Sequence, residues 1–318
     1  MNTEPLLWII FASLILIMFV FDTGLLGKTA KTISPRSAIA RTGIWVLLAL
    51  LFAATVYYFS GREKALLFLT GYLVEESLSI DNIFVFFIIF GLFNVKQEYQ
   101  HKILLWGIFG AIIMRGVMIV AGASFIRNFH WSIYILSAFL IFSGIKMFFG
   151  RQKEVAPGKN WLINLIERIL PVMNDYEGGD FFVRNNGKWF VTKLLLVLVY
   201  IELTDIVFAL DSVPAVLAIT QDTFIVFTSN IFAIGGLRSL YFAISGMAEK
   251  FCYLQQGLSA LLLYIGSKMF LHDILPIPTQ ISLIIIASIL ILTIVFSLYG
   301  SRIKQQKERI KQGDIPGL

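Results

Sequence analysis

The chain has 318 residues, of which 58% are hydrophobic and only 14% charged, with a net charge of +6 and a mean hydropathy of +0.81. A soluble domain carries about 25% charged residues because water must hydrate its surface, so this composition excludes a soluble globule. One cysteine excludes a disulfide scaffold, and 29 phenylalanines exclude a disordered chain. The composition predicts an all-α polytopic membrane protein, since helices satisfy their own backbone hydrogen bonds in lipid.

Nine apolar stretches approach the roughly 20 residues that a helix needs to cross a bilayer. They are residues 5–22, 42–60, 65–93, 103–126, 131–149, 191–217, 223–248, 251–271 and 280–299. A secretory signal begins with basic residues, whereas Glu4 precedes the first stretch and no Lys or Arg does. We therefore expect a retained first helix and one membrane domain over residues 1–318.

The basic residues are distributed unevenly among the connections, and this predicts the orientation. With the N-terminus outside, 19 Lys and Arg residues fall in inner loops and the C-terminal tail, and only Arg62, Lys64 and Arg127 fall in outer loops. Inner loops of membrane proteins carry the excess of Lys and Arg. We therefore expect a cytoplasmic C-terminus, and we interpret the positive net charge as a topology signal and not as a nucleic-acid footprint.

The longest polar connection is the inner loop at residues 150–190. Its last part, residues 182–191, places Asn186-Gly187 between two apolar runs, which is typical of a β-hairpin. The loop is too short for a core of its own. It is a connector or a docking element for a partner, and the sequence favours the connector.

Two parts of the chain repeat with a shift of about 122 residues. Residues 136–140 match residues 258–262, and Arg115 in the preceding span corresponds to Arg238. The two units cover about 65–149 and 191–271, joined by the loop 150–190 and flanked by peripheral helices in 1–60 and 280–299. Because each unit has three spans, the second unit enters the membrane from the opposite side. The sequence thus predicts a 3+3 inverted repeat, an architecture of secondary transporters.

The third and sixth spans contain acids near their midpoints. They are Glu75, Glu76 and Asp81 in the third span, and Glu202, Asp205 and Asp211 in the sixth. A central Asp costs about 2.5–3.5 kcal/mol in lipid, so these acids must face protein or water. Glu75 and Asn82 lie on one helical face, and Glu202 and Asp205 also share a face. Glu76 lies off the first stripe, so a functional role is weaker for it.

Only Arg115 and Arg238 are available in the core to pair with the six acids. Some acids must therefore be protonated or must bind a cation. The core offers oxygen ligands almost alone, and such ligands suit Mg²⁺, Mn²⁺ or Ca²⁺ rather than Cu⁺ or thiolate-bound zinc. Pro214 follows Asp211, so we also expect the sixth span to break around residues 211–214 and to offer backbone oxygen there.

Residues 75–82, EESLSIDN, with Phe84-Val85 resemble the first signature of the TerC family. Residues 202–205, ELTD, with residues 208–215, FALDSVPA, resemble the second, and residues 237–242, LRSLYF, also fit. Within that family the chain looks like the Alx branch. The resemblance covers almost the whole chain and implies a bacterial inner-membrane protein linked to Mn²⁺ export and to the metalation of exported proteins. By position it assigns metal contacts to Glu75, Asp81, Asn82, Glu202, Asp205, Asp211 and Ser212.

Four functions remain open. The favoured one is a Mn²⁺ exporter with shared midplane carboxylates and protons as a coupling ion, without a tightly bound cofactor and without enzymatic activity. The second is a non-transporting scaffold or stress factor that supports metalation or export of other proteins, a tellurium-resistance type of role. An oxyanion carrier is disfavoured because acids outnumber arginines, and a membrane enzyme because no nucleophile motif is present. We expect lipid and a divalent ion as partners, no nucleic acid, and leave the oligomeric state open.

Overall fold

The computed structural model describes residues 4–24, 35–129, 131–149, 172–173, 179–185, 188–244, 253–271, 274–275 and 277–311. Within these ranges the chain forms nine helices and a small three-stranded sheet. The helices are α1 (Glu4–Gly24), α2 (Pro35–Ser60), α3 (Arg62–Leu92), α4 (Gln97–Asn128), α5 (Ser132–Phe149), α6 (Lys193–Leu217), α7 (Thr223–Ile244), α8 (Leu254–Phe270) and α9 (Thr279–Lys311). Each predicted span coincides with one of them.

Five of the described helices are long and apolar enough to cross a membrane. Their apolar parts are Ser37–Ser60, Gln97–Asn128, Ser132–Phe149, Thr223–Ile244 and Thr279–Ser301. α3 and α6 are of comparable length but hold four and three acids respectively, and α8 has only 17 described residues. This set of helices confirms the prediction of an all-α membrane protein.

α3 and α4 each pack against both α6 and α7, and these four helices form the centre of the bundle, with α2 against α3 and α7. The apolar part of α7 is 83% buried inside the protein, whereas those of α2, α4, α5 and α9 are 22–39% buried. Helices that are half covered by protein and otherwise apolar face lipid. α7 is therefore central, and lipid contacts the surrounding helices.

α5 and α8 form the closest helix pair, and glycines allow it. A Cβ atom on Gly144 would lie 2.9 Å from the side chain of Leu263, and one on Gly266 would lie 3.0 Å from the backbone nitrogen of Ile141. Ser259 donates a hydrogen bond of 2.6 Å to the Gly144 carbonyl. Small residues let helices in lipid approach to backbone contact. The order of these contacts makes α5 and α8 antiparallel.

The sheet belongs to the connection before α6. Strands β2 (Phe182–Asn185) and β3 (Lys188–Thr192) pair in antiparallel fashion, and β1 (Val172–Met173) adds to β3 in parallel. The predicted hairpin is confirmed, although its Asn186-Gly187 turn lies outside the described residues. The third strand was not predicted, because two residues give no periodicity to read.

The prediction that the sixth span breaks near Pro214 is wrong. α6 runs without interruption from Lys193 to Leu217. Proline removes the hydrogen bond to the carbonyl of Leu210, but the backbone nitrogen of Ala218 bonds the Pro214 carbonyl at 2.9 Å. The helix thus continues past the proline for one more turn. Pro214 lies so near the end of α6 that one missing bond does not unwind it.

Candidate functional site

Arg115 lies at the junction of α3, α4 and α6, and its side chain is only 1% exposed. Its guanidinium donates two hydrogen bonds to Asp205, from Nη2 to Oδ1 at 3.0 Å and from Nε to Oδ2 at 3.2 Å. Nη1 donates to Glu75 and also to Ser212 Oγ at 3.1 Å. Bidentate, charge-assisted bonds of this kind fix both partners in one geometry. We call Glu75, Arg115, Asp205 and Ser212 the arginine cluster.

Asn82 joins this cluster from α3. Its side-chain nitrogen donates to Asp205 Oδ1 at 3.4 Å. The structure thus brings together four of the residues that the sequence predicted as metal contacts, from both acidic helices. Glu75 and Asp205 are 130 positions apart in the sequence and bind the same guanidinium, as expected for two acidic spans that meet. Their role in binding metal stays a prediction.

A cavity of about 60 Å³ adjoins the arginine cluster. It is lined by Glu75, Leu78, Asn82, Arg115, Met147, Phe208, Asp211, Ser212 and Leu262. Five of the nine lining residues are polar, and this volume suits a few water molecules, or an ion that keeps part of its hydration shell. The cavity therefore gives the cluster a polar space within the bundle.

Asp211 reaches this cavity from α6 but points to a different neighbour than Asp205 does. Ser143 of α5 donates a hydrogen bond of 2.9 Å to Asp211 Oδ1. The charge of Lys146, also on α5, acts on the same carboxylate. Sequence reasoning missed Ser143, because a single serine in an apolar span is common and carries no signal of its own.

Glu202 contacts α4 where that helix has glycines. The carboxyl group of Glu202 occupies the space that a side chain at position 110 would take, and it also approaches Gly107. Its Oε2 is buried and has no hydrogen-bond partner among the described residues. Gly110 is therefore a functional candidate that the sequence did not reveal, since its importance depends on a residue from another helix.

Glu76 lies apart from the arginine cluster. Its carboxyl group lies beside the hydroxyl of Tyr72, one turn earlier on α3. Tyr72 belongs to a hydrophobic cluster that also contains Phe52 of α2 and Phe232 of α7. This placement agrees with the weaker functional role that its position off the Glu75 stripe indicated.

The second predicted arginine, Arg238, lies close to His101 of α4. Arg238 of α7 lies with its Nη1 3.4 Å from His101 Nδ1, and it lines a separate small cavity of about 10 Å³ together with Asp205. Asp81 belongs to the backbone of α3, but its side chain lies outside the described residues. Among the residues that are described, no group of three His, Cys, Asp or Glu side chains is spaced to hold a metal ion. A shared cation shell therefore remains a prediction.

The chain is similar to known membrane proteins over most of its length. Residues 60–308 match the family described as "Integral membrane protein TerC family". The chain is 45% identical over 299 residues to "Uncharacterized membrane protein STKORF319" of Myxococcus xanthus, covering 94% of each chain. It is 42% identical over 320 residues to "Putative membrane-bound redox modulator Alx" of Salmonella typhi, covering 97% of this chain and 99% of the relative.

The protein of the same name from Escherichia coli strain K12 is 41% identical over 308 residues, with 93% and 96% of the two chains covered. No solved structure matches the chain significantly. Both acidic segments and Arg115 lie within the matched residues 60–308.

Proposed function

The chain belongs to the TerC family of integral membrane proteins, and we propose that it is a transporter that exports a divalent cation, Mn²⁺ in the first place, from the cytoplasm. The observation that carries the proposal is the arginine cluster. Two carboxylates from two helices converge on one buried guanidinium next to a cavity that Asn82, Asp211 and Ser212 also line. Such groups are expensive in a membrane and mark ion pathways.

The ligand chemistry supports a hard cation. The cluster and the cavity present carboxylate, amide and hydroxyl oxygen from Glu75, Asn82, Asp205, Asp211 and Ser212. Carboxylate, carbonyl and water oxygens suit Mn²⁺, Mg²⁺ and Ca²⁺. The seven predicted contacts, Glu75, Asp81, Asn82, Glu202, Asp205, Asp211 and Ser212, remain the proposed route of the ion, with Mn²⁺ as cargo and no resident cofactor.

The packing supports an inverted repeat. Gly144 faces Leu263 while Gly266 faces Ile141, and the predicted shift of 122 residues exchanges these two contacts. In the same way, α3 packs on α7 and α6 packs on α4, which are corresponding pairs if α3–α5 and α6–α8 are two copies. Rocking of one copy against the other would expose the cluster to each side in turn. The proposed orientation, from the Lys and Arg distribution, has the C-terminus in the cytoplasm of a bacterial inner membrane.

A scaffold function is the second candidate, and the hairpin favours it. Phe182 and Trp189 on neighbouring strands are 54% and 65% exposed, and exposed aromatic side chains are frequent in docking surfaces. The name of the Alx relatives refers to redox modulation. A dithiol mechanism within this chain does not apply, because its one cysteine cannot form an intrachain disulfide.

The test is uptake of radiolabelled ⁵⁴Mn²⁺ into sealed proteoliposomes, with and without an imposed pH gradient. We expect flux that depends on the protein and that responds to the pH gradient. Asp205→Asn is the matched inactive control, because it keeps the side-chain shape and removes the charge that Arg115 binds. Absence of protein-dependent flux under every gradient would refute transport and would put the scaffold candidate first.

A further inference from the structure

Arg115 binds three of the seven residues that are proposed to contact the cargo ion. Its hydrogen bonds go to Glu75, Asp205 and Ser212, and both oxygens of Asp205 are engaged. A guanidinium is a cation with several donors in one plane. In the described conformation, the positive charge at the meeting point of the acidic helices is therefore a side chain of the protein.

A metal ion and this guanidinium compete for the same carboxylate oxygens. Hard cations bind carboxylate oxygen at about 2.0–2.6 Å, whereas the nitrogens of Arg115 lie 3.0 and 3.2 Å from the two oxygens of Asp205. An ion on that carboxylate would lie within a few ångströms of the guanidinium, and like charges repel strongly at that distance in a site of low dielectric constant. Binding of the ion to Asp205 thus requires that Arg115 withdraw.

The cavity beside Arg115 offers space for the ion, and two carboxylates that line it have oxygen lone pairs that the guanidinium does not use. Glu75 and Asp211 line the cavity of about 60 Å³ with Arg115. Glu75 Oε2 is fully buried and has no hydrogen-bond partner among the described residues. Asp211 accepts its bond from Ser143 and not from Arg115. An ion in the cavity can therefore contact two carboxylates before the guanidinium moves.

We propose that Arg115 is a tethered cation that occupies the cargo site of the empty transporter and that is displaced when the divalent ion binds. The inference rests on the proposed function, since it needs a cargo ion. It makes Arg115 a competitor of the ion: removal of its charge should strengthen ion binding at equilibrium. A guanidinium that only organised the acids for the ion would have the opposite effect, since its removal would weaken binding.

The experiment is equilibrium dialysis of ⁵⁴Mn²⁺ against the purified full-length chain in detergent at constant pH. Arg115→Gln removes the charge and keeps a polar side chain of similar shape. Arg238→Gln makes the same change at an arginine that is also 1% exposed but lies next to His101. We expect Arg115→Gln to bind ⁵⁴Mn²⁺ at least tenfold more tightly than the unaltered chain, and we expect the gain to be confined to position 115.

The outcomes separate the inference from the proposed function. Saturable binding by the unaltered chain with equal or weaker binding by Arg115→Gln overturns the tethered cation and leaves the transporter standing. Binding by Arg115→Gln alone supports the inference in its strongest form. Absence of saturable binding in both proteins overturns the proposed function and the inference together.

A second variant keeps the test decisive if Arg115→Gln does not elute as a folded, monodisperse protein. Arg115→Lys retains the positive charge, but a single ammonium cannot reproduce the two-point contact with Asp205 together with the bond to Glu75. Lysine should therefore hold the site less firmly, and ⁵⁴Mn²⁺ should bind severalfold more tightly than to the unaltered chain. Equal or weaker binding by Arg115→Lys contradicts the proposal.

Discussion

Gly110 provides a sharp test of the site, because a methyl group there reaches a single functional side chain. A Cβ atom at this position would overlap the carboxyl group of Glu202, and van der Waals contact requires about 3.5 Å. The carboxyl must therefore move by about 1 Å. Its side chain can do this at a rotamer cost of about 1 kcal/mol, and alanine returns about 1 kcal/mol through its helix propensity. Folding stability should hardly change.

The expected effect of Gly110→Ala on transport is large. Misplacement of a functional group by about 1 Å can reduce a rate by about 100-fold, so we expect ⁵⁴Mn²⁺ flux to fall by one to two orders of magnitude. The melting temperature in detergent should stay within about 4 °C, which corresponds to about 1 kcal/mol. Gly43→Ala on α2 is the matched control, since nothing lies within 4 Å of its Cβ position. Equal flux in both variants would show that the position of Glu202 against α4 is not needed.

Three other predictions concern the acidic residues, the pH dependence of binding and the membrane orientation. Asp205→Asn should abolish ⁵⁴Mn²⁺ flux and cell tolerance to manganese while membrane insertion stays normal. Glu76→Gln should have a much milder effect. If cells with Asp205→Asn tolerated manganese as well as cells with the unaltered chain, Asp205 would not belong to the site. Protons bind the same carboxylates as the metal, so lowering the pH should weaken ⁵⁴Mn²⁺ binding and raising it should strengthen binding; affinity independent of pH would argue against carboxylate ligands. A cytoplasm-active reporter fused after Leu318 should be active and a periplasm-active one silent, and the reverse pattern would overturn the predicted orientation.

The helices could be predicted from the sequence because lipid leaves the chain little choice. An apolar stretch must satisfy its backbone hydrogen bonds internally, so each of the nine predicted stretches corresponds to a described helix. The ends were less certain. α2 begins at Pro35 and α9 continues to Lys311, each several residues beyond its predicted apolar stretch, since polar residues can extend a helix outside the hydrocarbon region.

The site was predictable only in part. The cost of charge in lipid identified the six acids, and helical periodicity placed Glu75 with Asn82. The partners on other helices could not be derived in this way. That Ser143 serves Asp211, and that Gly110 makes room for Glu202, depends on how α4 and α5 pack against α6. The pattern along one helix contains no information about this packing, which is also why Arg115 and Arg238 looked equivalent.

The buried carboxylates of α3 and α6 have too few positive charges beside them, and this shortage favours binding of an additional cation. Two carboxylates share one guanidinium in the arginine cluster, so the cluster is one charge short of neutrality if both ionise. Glu202 lies against a glycine and Glu76 against a tyrosine hydroxyl, and neither of these contacts supplies positive charge. A purely structural role would favour full pairing, because an unpaired buried charge costs several kcal/mol. The missing charge must then come from protons or from a bound cation. If a divalent ion replaced Arg115, its two positive charges would neutralise the two carboxylates of the cluster. After release of the ion, Arg115 would again be needed to balance part of their negative charge. On the proposed function, the same imbalance that makes these acids costly for folding would also provide the affinity for the ion.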